Sequence, residues 1–259
     1  MQTIVTNDDG ILSEGLWALV RELKKISRVT VVAPDREQSA IGTAVTLLKP
    51  LRIKTVKPLV AGAESFSIDG TPSDAVILAL GKLARGKTDV VISGINHGPN
   101  LGEDVHISGT VSAALQAYLR GVPSLAISAP EGREDLLETA ARVAAALARR
   151  IAAGSPPGRL LLNVNIPDLP LDEVGVVKAT WLARESHINT VEEGDRGRFT
   201  YYWLVRERVG GAGDSRTDMS AVERGEIAVT PLYYNRADRP SGEYVNGLCD
   251  GLLDELRRG

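Results

Sequence analysis

From its first residues to about residue 167 the chain alternates short apolar runs with longer stretches of helical periodicity, and no other feature restricts its fold as strongly. Strands separated by crossover helices can lie parallel in one sheet, so a series of such units predicts a mostly parallel sheet with helices packed on it. The expected strands are Thr3–Thr6, Val29–Ala33, Asp89–Ser93, Ser124–Ser128 and Leu160–Asn165. Between the first two, Leu16, Leu19, Val20, Leu23 and Ile26 recur at helical spacing and define a face to bury on the sheet. Thr71-Pro72-Ser73-Asp74 has the form of a helix start, with a hydroxyl N-cap, Pro at the first helical position and an acid in the first turn. That helix is expected to run through Val76, Leu80 and Leu83. Another begins near Thr110 and stops at Gly121, whose missing Cβ suits a left-handed cap. The Ala-rich stretch from Glu134 to Ala152 is a third, ended by Gly154, Pro156 and Pro157. The predicted class is α/β, a Rossmann-like, mostly parallel sheet flanked by helices.

After residue 167 the pattern changes. Val174–Leu182 and Phe199–Val209 read as strands separated by a charged turn, Glu192-Glu193-Gly194-Asp195-Arg196-Gly197, which together make a protruding C-terminal β-hairpin. Phe199, Tyr201, Tyr202 and Trp203 fall on both faces of the second strand, so both faces are expected to be covered, as an oligomer contact would do. A further strand, Glu226–Leu232, leads to a terminal helix from about Glu243. Residues 1–167 are thus expected to form the core that carries the active site, and 168–259 an oligomerisation appendage.

Composition narrows the function. A formal charge of −3 argues against a broad basic surface for nucleic acid, because binding to a phosphate backbone needs clustered Lys and Arg. A small phosphorylated substrate would then need local neutralisation by a metal ion or by backbone N–H groups. Cys249 is the only cysteine, which excludes an intrachain disulfide and a thiolate metal cluster within one chain. Three histidines, His97, His106 and His187, are few for a His-rich zinc site. The opening apolar run, Ile4 and Val5, meets Asp8 and Asp9 at once, which fits neither a signal peptide nor a membrane span. The expectation is a cytoplasmic protein with no membrane partner.

Three segments carry chemistry. Thr6-Asn7-Asp8-Asp9-Gly10 stands where the first strand ends, and ligands of open parallel sheets bind at the carboxyl ends of strands. Adjacent residues of a strand face opposite ways, so Asp8 and Asp9 can approach one ion only where the backbone leaves the strand, a bend that Gly10 permits. Two carboxylates suit Mg²⁺ or Mn²⁺. By itself Asn7-Asp8-Asp9-Gly10 reads more readily as an Asx-type turn capping the next helix. Ala33-Pro34-Asp35-Arg36-Glu37-Gln38-Ser39-Ala40 follows the second strand on the same sheet edge. Ser39 offers a neutral oxygen there, although the segment also reads as an ordinary polar loop. The third and most specific runs from Ser93 to Thr110. Its glycines, at 94, 98, 102 and 109, let backbone approach a ligand. Asn96 and Asn100 add neutral ligands, and Ser108, Gly109 and Thr110 sit where a helix N-terminus would receive a phosphate.

With these segments in view the chain resembles a known family. Asn7-Asp8-Asp9-Gly10, Ala33-Pro34 with Ser39, Gly70-Thr71-Pro72-Ser73-Asp74, Ser93-Gly94-Ile95-Asn96 with Gly98 and Asn100, Ser108-Gly109-Thr110-Val111, Asn163-Val164-Asn165-Ile166-Pro167 and Thr217-Asp218 are similar to the SurE, or survival protein E, nucleotidases. The resemblance touches almost the whole chain in the right order. It implies one divalent metal ion per subunit, Mg²⁺ or Mn²⁺, held by Asp8, Asp9, Ser39 and Asn96. It also implies phosphate contacts from Asn100, Ser108, Gly109 and Thr110, with Asp8 and Asp9 as the catalytic pair. The implied reaction is hydrolysis of nucleoside 5′- and 3′-monophosphates, sometimes with polyphosphate cleavage. Homodimers or homotetramers that swap C-terminal segments are implied as well. Two positions depart from the family pattern: Ile107 stands where an aromatic or His is usual, and Gln116-Ala117 replaces an acidic residue and Gly.

Phosphate monoesters need up to ~10²¹-fold acceleration, so a catalyst must surround the phosphoryl group with compensating charge. Asp8 and Asp9 act first as ligands in this scheme. Direct water attack and a covalent aspartyl-phosphate on Asp8 both stay open, as does a proton-donating role for His97 or His106. Three rival readings make different demands on the sequence. A signalling receiver domain needs a phosphoacceptor Asp after its third strand, where this chain has Ser93-Gly94-Ile95-Asn96. A haloacid-dehalogenase-type phosphatase needs Asp-x-Asp. A nucleotide-binding regulator would be expected to carry Gly-x-Gly-x-x-Gly after the first strand or a Walker lysine loop.

Overall fold

The computed structural model describes residues 1–154, 156, 158–185, 188–195, 200–206, 214–234 and 242–258. Its centre is a nine-stranded sheet. Five strands match the predicted ones: β1 (Gln2–Thr6), β2 (Arg28–Pro34), and, further along the chain, Val90–His97, Ser124–Ala129 and Leu161–Asn165. Two short strands, β3 (Ile53–Thr55) and β4 (Glu64–Ile68), were not anticipated. With these counted, Val90–His97 is β5, Ser124–Ala129 is β6 and Leu161–Asn165 is β7. Val177–Ala179 forms β8, the hairpin strands are β9 (Ile188–Asp195) and β10 (Thr200–Arg206), and Ile227–Pro231 is β11. The sheet order is β3-β4-β2-β1-β5-β6-β7-β11-β8. The six strands from β4 to β7 are mutually parallel, and β3 and β11 pair antiparallel with β4 and β7.

The helices cover both faces. Helix α1 (Glu14–Leu23) and α4 (Leu137–Gly154) pack against one another, and their Leu16, Leu19, Leu23, Val143 and Leu147 join Val5, Ile92 and Ile127 in the main core. Helix α2 (Pro72–Leu78) and α3 (Gly109–Leu119) pack on the other face, where Val76 and Ala113 meet Ile4 and Val32. The predicted start of α2 is realised as a capping box: the Thr71 hydroxyl accepts from the Asp74 N–H while the Asp74 carboxylate accepts from the Thr71 N–H. Beyond Leu78 the chain continues as a π-helical turn, Ala79–Leu83. Gly121, with φ +75°, follows the end of α3 in the left-handed conformation expected of it.

The C-terminal third differs from expectation in its pairing. Residues 177–179 do not belong to the hairpin; β8 lies parallel to β11 at the edge of the central sheet. The hairpin is instead β9 with β10, a separate two-stranded ribbon. Glu192, Glu193, Gly194 and Asp195, expected in the turn, are strand residues, with Glu192 opposite Trp203 and Glu193 opposite Tyr202. Glu192 and Glu193 are tolerated there because both are solvent-exposed, so their carboxylates need not be desolvated. Arg196, Gly197, Phe199, the end of the predicted strand at 207–209, His187 and Pro157 lie outside the described residues. A short helix α5 (Asp218–Glu223) precedes β11, and the predicted terminal helix is two, α6 (Gly242–Cys249) and α7 (Leu252–Arg258), both packed on α4 of the same chain.

Candidate active site

Strand β1 has β2 on one side and β5 on the other. The chain leaves β1 toward β2 and β4, then returns to build β5, β6 and β7 in the opposite direction. Such a reversal opens a crevice at the carboxyl ends of the strands. A cavity of about 520 Å³ lies there, lined among others by Asp8, Asp9, Ser39, Asn96, Asn100 and Ser108. Six of the eight sequence-predicted site residues therefore share one cavity wall. The other two, Gly109 and Thr110, stand behind Asp8.

The turn after β1 shows how two adjacent acids come to face one space. The Asn7 side chain donates to Gly10 O (3.0 Å) and accepts from the Gly10 N–H (3.2 Å), while Gly10 takes φ +100°. The Asx-like turn is thus made by Asn7, and Asp8 and Asp9 do not cap α1, whose N-cap is Ser13. Asp8 is buried, and the Thr110 hydroxyl donates to its Oδ1. The Thr110 backbone also lowers the Asp8 pKa by hydrogen bonding. The hydroxyl of Thr110, a residue expected among the phosphate contacts, donates to Asp8 in this structure, because a buried carboxylate needs donors. Gly109 lies close against the same acid: a Cβ there would fall 2.8 Å from both Cβ and Oδ2 of Asp8. Ser108 caps α3 by accepting from the Val111 N–H at 3.2 Å and lines the cavity.

Burial and charge act together on the acids. Burial pushes the Asp8 carboxyl above its ordinary value, partly offset by the bond from Thr110. Burial, then the neighbouring charges of Asp8 and Glu37, push Asp9 up to about 7. Asp9 Oδ2 is buried without a hydrogen-bond partner, as is Ser13 Oγ. Among the described residues, the cavity is lined by five carboxylates, Asp8, Asp9, Glu37, Asp104 and Glu131, and by no Lys or Arg. An orphaned carboxylate oxygen beside a second carboxylate, with raised pKa values, is what a cation would relieve. No group of three or more His, Cys, Asp or Glu forms a metal cluster among the described residues, so two acids with neutral oxygens are the donor set that fits. Those oxygens are at hand. Ser39 Oγ donates to Glu37 Oε1 at 2.5 Å, and Asn96 Nδ2 donates to Gly98 O at 2.7 Å, leaving its Oδ1 as the atom for a cation. The donor set of hard oxygens fits Mg²⁺ or Mn²⁺.

Three positioning features escaped the sequence reading. Asn100 is clamped from β7: its N–H donates to Asn165 Oδ1 (2.9 Å), and its carbonyl accepts from Asn163 Nδ2 (2.7 Å) and Asn165 Nδ2 (3.0 Å). Its own Nδ2 donates to Ser128 Oγ at 2.9 Å. Two buried Asn on one strand were the available signal, since a buried amide must find partners. Glu37 is the second feature, an acid in the loop already singled out for Ser39. The third is the strand itself: β5 continues past Ser93 to His97, with a register shift at Gly94 that re-aims Asn96. Of the two loop histidines, His97 lines the cavity, whereas His106 is exposed at the end of a 3₁₀ turn, Gly102–His106.

Comparison with known proteins agrees with this geometry. The family model "Survival protein SurE" matches residues 3–189. A protein named 5′-nucleotidase SurE from Dehalococcoides mccartyi strain CBDB1 is 51% identical over 259 residues, covering 99% of this chain and 98% of the relative. The protein of the same name from Geobacter metallireducens is 42% identical, covering 90% and 91%. The crystal structure of the SurE protein from Aquifex aeolicus superposes with a TM-score of 0.78 at 35% identity, covering 98% of this chain and all of that one. A family match over most of the chain, near-full-length relatives and a shared architecture leave one placement: the chain belongs to the survival protein SurE family.

Proposed function

We propose that this protein is a metal-dependent 5′-nucleotidase that hydrolyses nucleoside monophosphates to nucleoside and inorganic phosphate. The relatives' names support the 5′-nucleotidase activity. Hydrolysis of 3′-monophosphates and of short polyphosphate belongs to the same proposal, as does a single Mg²⁺ or Mn²⁺ per subunit held by Asp8, Asp9, Ser39 and Asn96. The observation that carries the metal is the cavity's charge: five carboxylates and, among the described residues, no Lys or Arg would repel a phosphate dianion without a resident cation.

When bound, such an ion supplies Lewis-acid stabilisation of the phosphoryl charge and lowers the pKa of a coordinated water. The protein's residues do the rest. Thr110 fixes the Asp8 carboxylate by donating to it, and the bond opposes part of the upward push that burial gives this acid. Asp9 lines the same cavity and has a buried oxygen without a hydrogen-bond partner, a group that a cation or a water proton would satisfy. Ser108 and Gly109 present the N-terminus of α3, whose N–H groups favour an anion. Asn100, held by three β6 and β7 side chains, presents a fixed polar wall. We place the protein in the cytoplasm as a homodimer or homotetramer, with residues 168–259 as the assembling part and C-terminal segments swapped between subunits.

The test is phosphate release from a panel of 5′- and 3′-nucleotides with and without a chelator, for the wild type and Asp8→Asn. Release is expected to need the metal and to fall nearly to background in Asp8→Asn while its circular dichroism is unchanged. Turnover that survives both chelation and the substitution overturns the proposal.

A further inference from the structure

Asp218 is a buried acid that the site described above does not explain. It is completely buried, 0% exposed, in the first turn of α5, and the mechanism above makes no use of it. Its partners are all backbone. Oδ2 accepts from the Gly102 N–H at 3.0 Å, and Oδ1 accepts from the N–H groups of Ala183 and Met219 at 2.9 Å each. Gly102 lies two residues beyond Asn100 and opens the 3₁₀ turn that leads to Ser108, so one oxygen grips the segment carrying the phosphate-facing residues. Ala183 belongs to the strip that runs toward β9, so the other grips the root of the hairpin.

The two segments are also stitched directly. The Glu103 N–H donates to Glu185 O at 2.9 Å, and the Asp218 N–H donates to Trp181 O at 2.8 Å. The backbones are so close that a Cβ on Gly102, which has φ +54°, would fall 2.2 Å from Glu185 O. A buried carboxylate is costly unless its lone pairs are filled, and here three N–H donors fill them. No other side chain of similar size offers two acceptor oxygens. An Asn in its place would set an NH₂ against either Gly102 or the Ala183 and Met219 pair, leaving donors facing donors.

We propose that Asp218 is a positioning residue for the reaction: it fixes the Asn100–Ser108 segment through Gly102 and fastens the hairpin root to that segment with the same carboxylate. This role rests on the cavity beside Asp8 being the nucleotide site. Loss of the clamp frees the segment to shift, which loosens the placement of Asn100 and Ser108 around the phosphate while leaving Asp8 and Asp9 in place.

The experiment compares wild type, Asp218→Asn, Asp218→Glu and Val245→Ala, the last a core truncation in α6. Rates are measured with a 5′-nucleotide and saturating Mn²⁺, inhibition with inorganic phosphate, and stability by thermal unfolding. Asp218→Asn is expected to lower kcat about tenfold or more and to weaken phosphate inhibition by a similar factor. Asp218→Glu restores part of both, and Val245→Ala, although destabilised, keeps both near wild type. Wild-type kcat and phosphate inhibition in Asp218→Asn overturn the role, as does an equal loss in Val245→Ala. If Asp218→Asn does not fold, amide hydrogen exchange of the wild type decides: a Gly102 amide as protected as those of β5 supports the clamp, and one that exchanges like an open loop overturns it. A wild type that releases no phosphate from any nucleotide contradicts the nucleotidase reading instead, and the Gly102 exchange still reports on the clamp.

Discussion

Thr110 donates its hydroxyl to Asp8 across 102 positions of sequence. One end of this bond sits after β1 and the other in the first turn of α3, so the acid proposed to hold the metal and the helix end proposed to receive the phosphate are one mechanical unit. Thr110→Val keeps the shape and removes the donor, leaving a buried carboxylate short of a partner, a loss of about 1–3 kcal/mol. The expected result is a fall of tenfold or more in kcat/KM, with Thr110→Ser retaining more activity. Steady-state rates of the two variants side by side check this; equal rates for Val and Ser would show that the hydroxyl is not needed.

Asp9, held at about 7, predicts a pH dependence whose sign can be worked out. Its folded pKa lies above the ordinary carboxylate value, so in metal-free protein the folded state holds a proton that the unfolded chain has lost between roughly pH 4 and 7. That contribution to stability is lost as pH rises through 7. Chelated wild type should therefore melt lower at pH 8 than at pH 6, and Asp9→Asn should reduce the difference. A cation must displace the same proton, so its affinity is expected to weaken by up to about tenfold per pH unit below 7. Thermal unfolding at the two pH values and calorimetric titration with Mn²⁺ measure both.

The β7 clamp on Asn100 offers a separate test. Asn165→Ala removes the acceptor for the Asn100 N–H and one of two donors to its carbonyl. Leaving buried groups unmet costs about 1–3 kcal/mol, which lowers Tm by roughly 2–4 °C per kcal/mol at this chain length. Activity should fall with KM raised, since Asn100 would lose its fixed position. Asn165→Asp keeps the acceptor and loses the donor, and an intermediate effect is expected in the same assays.

Gly109→Ala addresses close packing. The added Cβ would press on Asp8 at 2.8 Å, nearer than real Cβ contacts come, so the carboxylate must move. Activity is expected to fall at least tenfold with a weaker Mn²⁺ affinity. An active Gly109→Ala enzyme with unchanged Mn²⁺ titration would contradict that.

The sheet and the acid pair were legible because their signals are local. Val29–Ala33 and Ser124–Ser128 are apolar runs that only buried strands explain, and Asp8-Asp9-Gly10 at a strand end announces a bend with two acids. What stayed hidden depends on long-range pairing. Strand β3 is three exposed residues, Ile53, Lys54 and Thr55, with no alternation to read, and it exists because β4 offers an edge. Strand β8 was assigned to the wrong partner because nothing in Val177-Lys178-Ala179 states that β11 will lie beside it. Asn163 and Asn165 were quoted as a motif, but their role appears only when β7 is beside β6 and faces Asn100.

The β9–β10 ribbon carries the last prediction. On one face Tyr202, Leu204 and Val191 are 63%, 75% and 59% exposed, and on the other Trp203 is 65% exposed. A two-stranded ribbon outside any larger sheet is marginal in water, and large apolar side chains on both faces are the mark of a surface that another chain covers. If the ribbon assembles subunits, Leu204→Glu adds a carboxylate to the face that holds Glu193 and should weaken that contact by several kcal/mol through desolvation and like charge. Sedimentation velocity is expected to show wild type as a dimer or tetramer and Leu204→Glu shifted to a smaller species, while the metal affinity of the cavity beside Asp8 stays the same. A variant that sediments with wild type across the whole concentration range would place the subunit contact elsewhere.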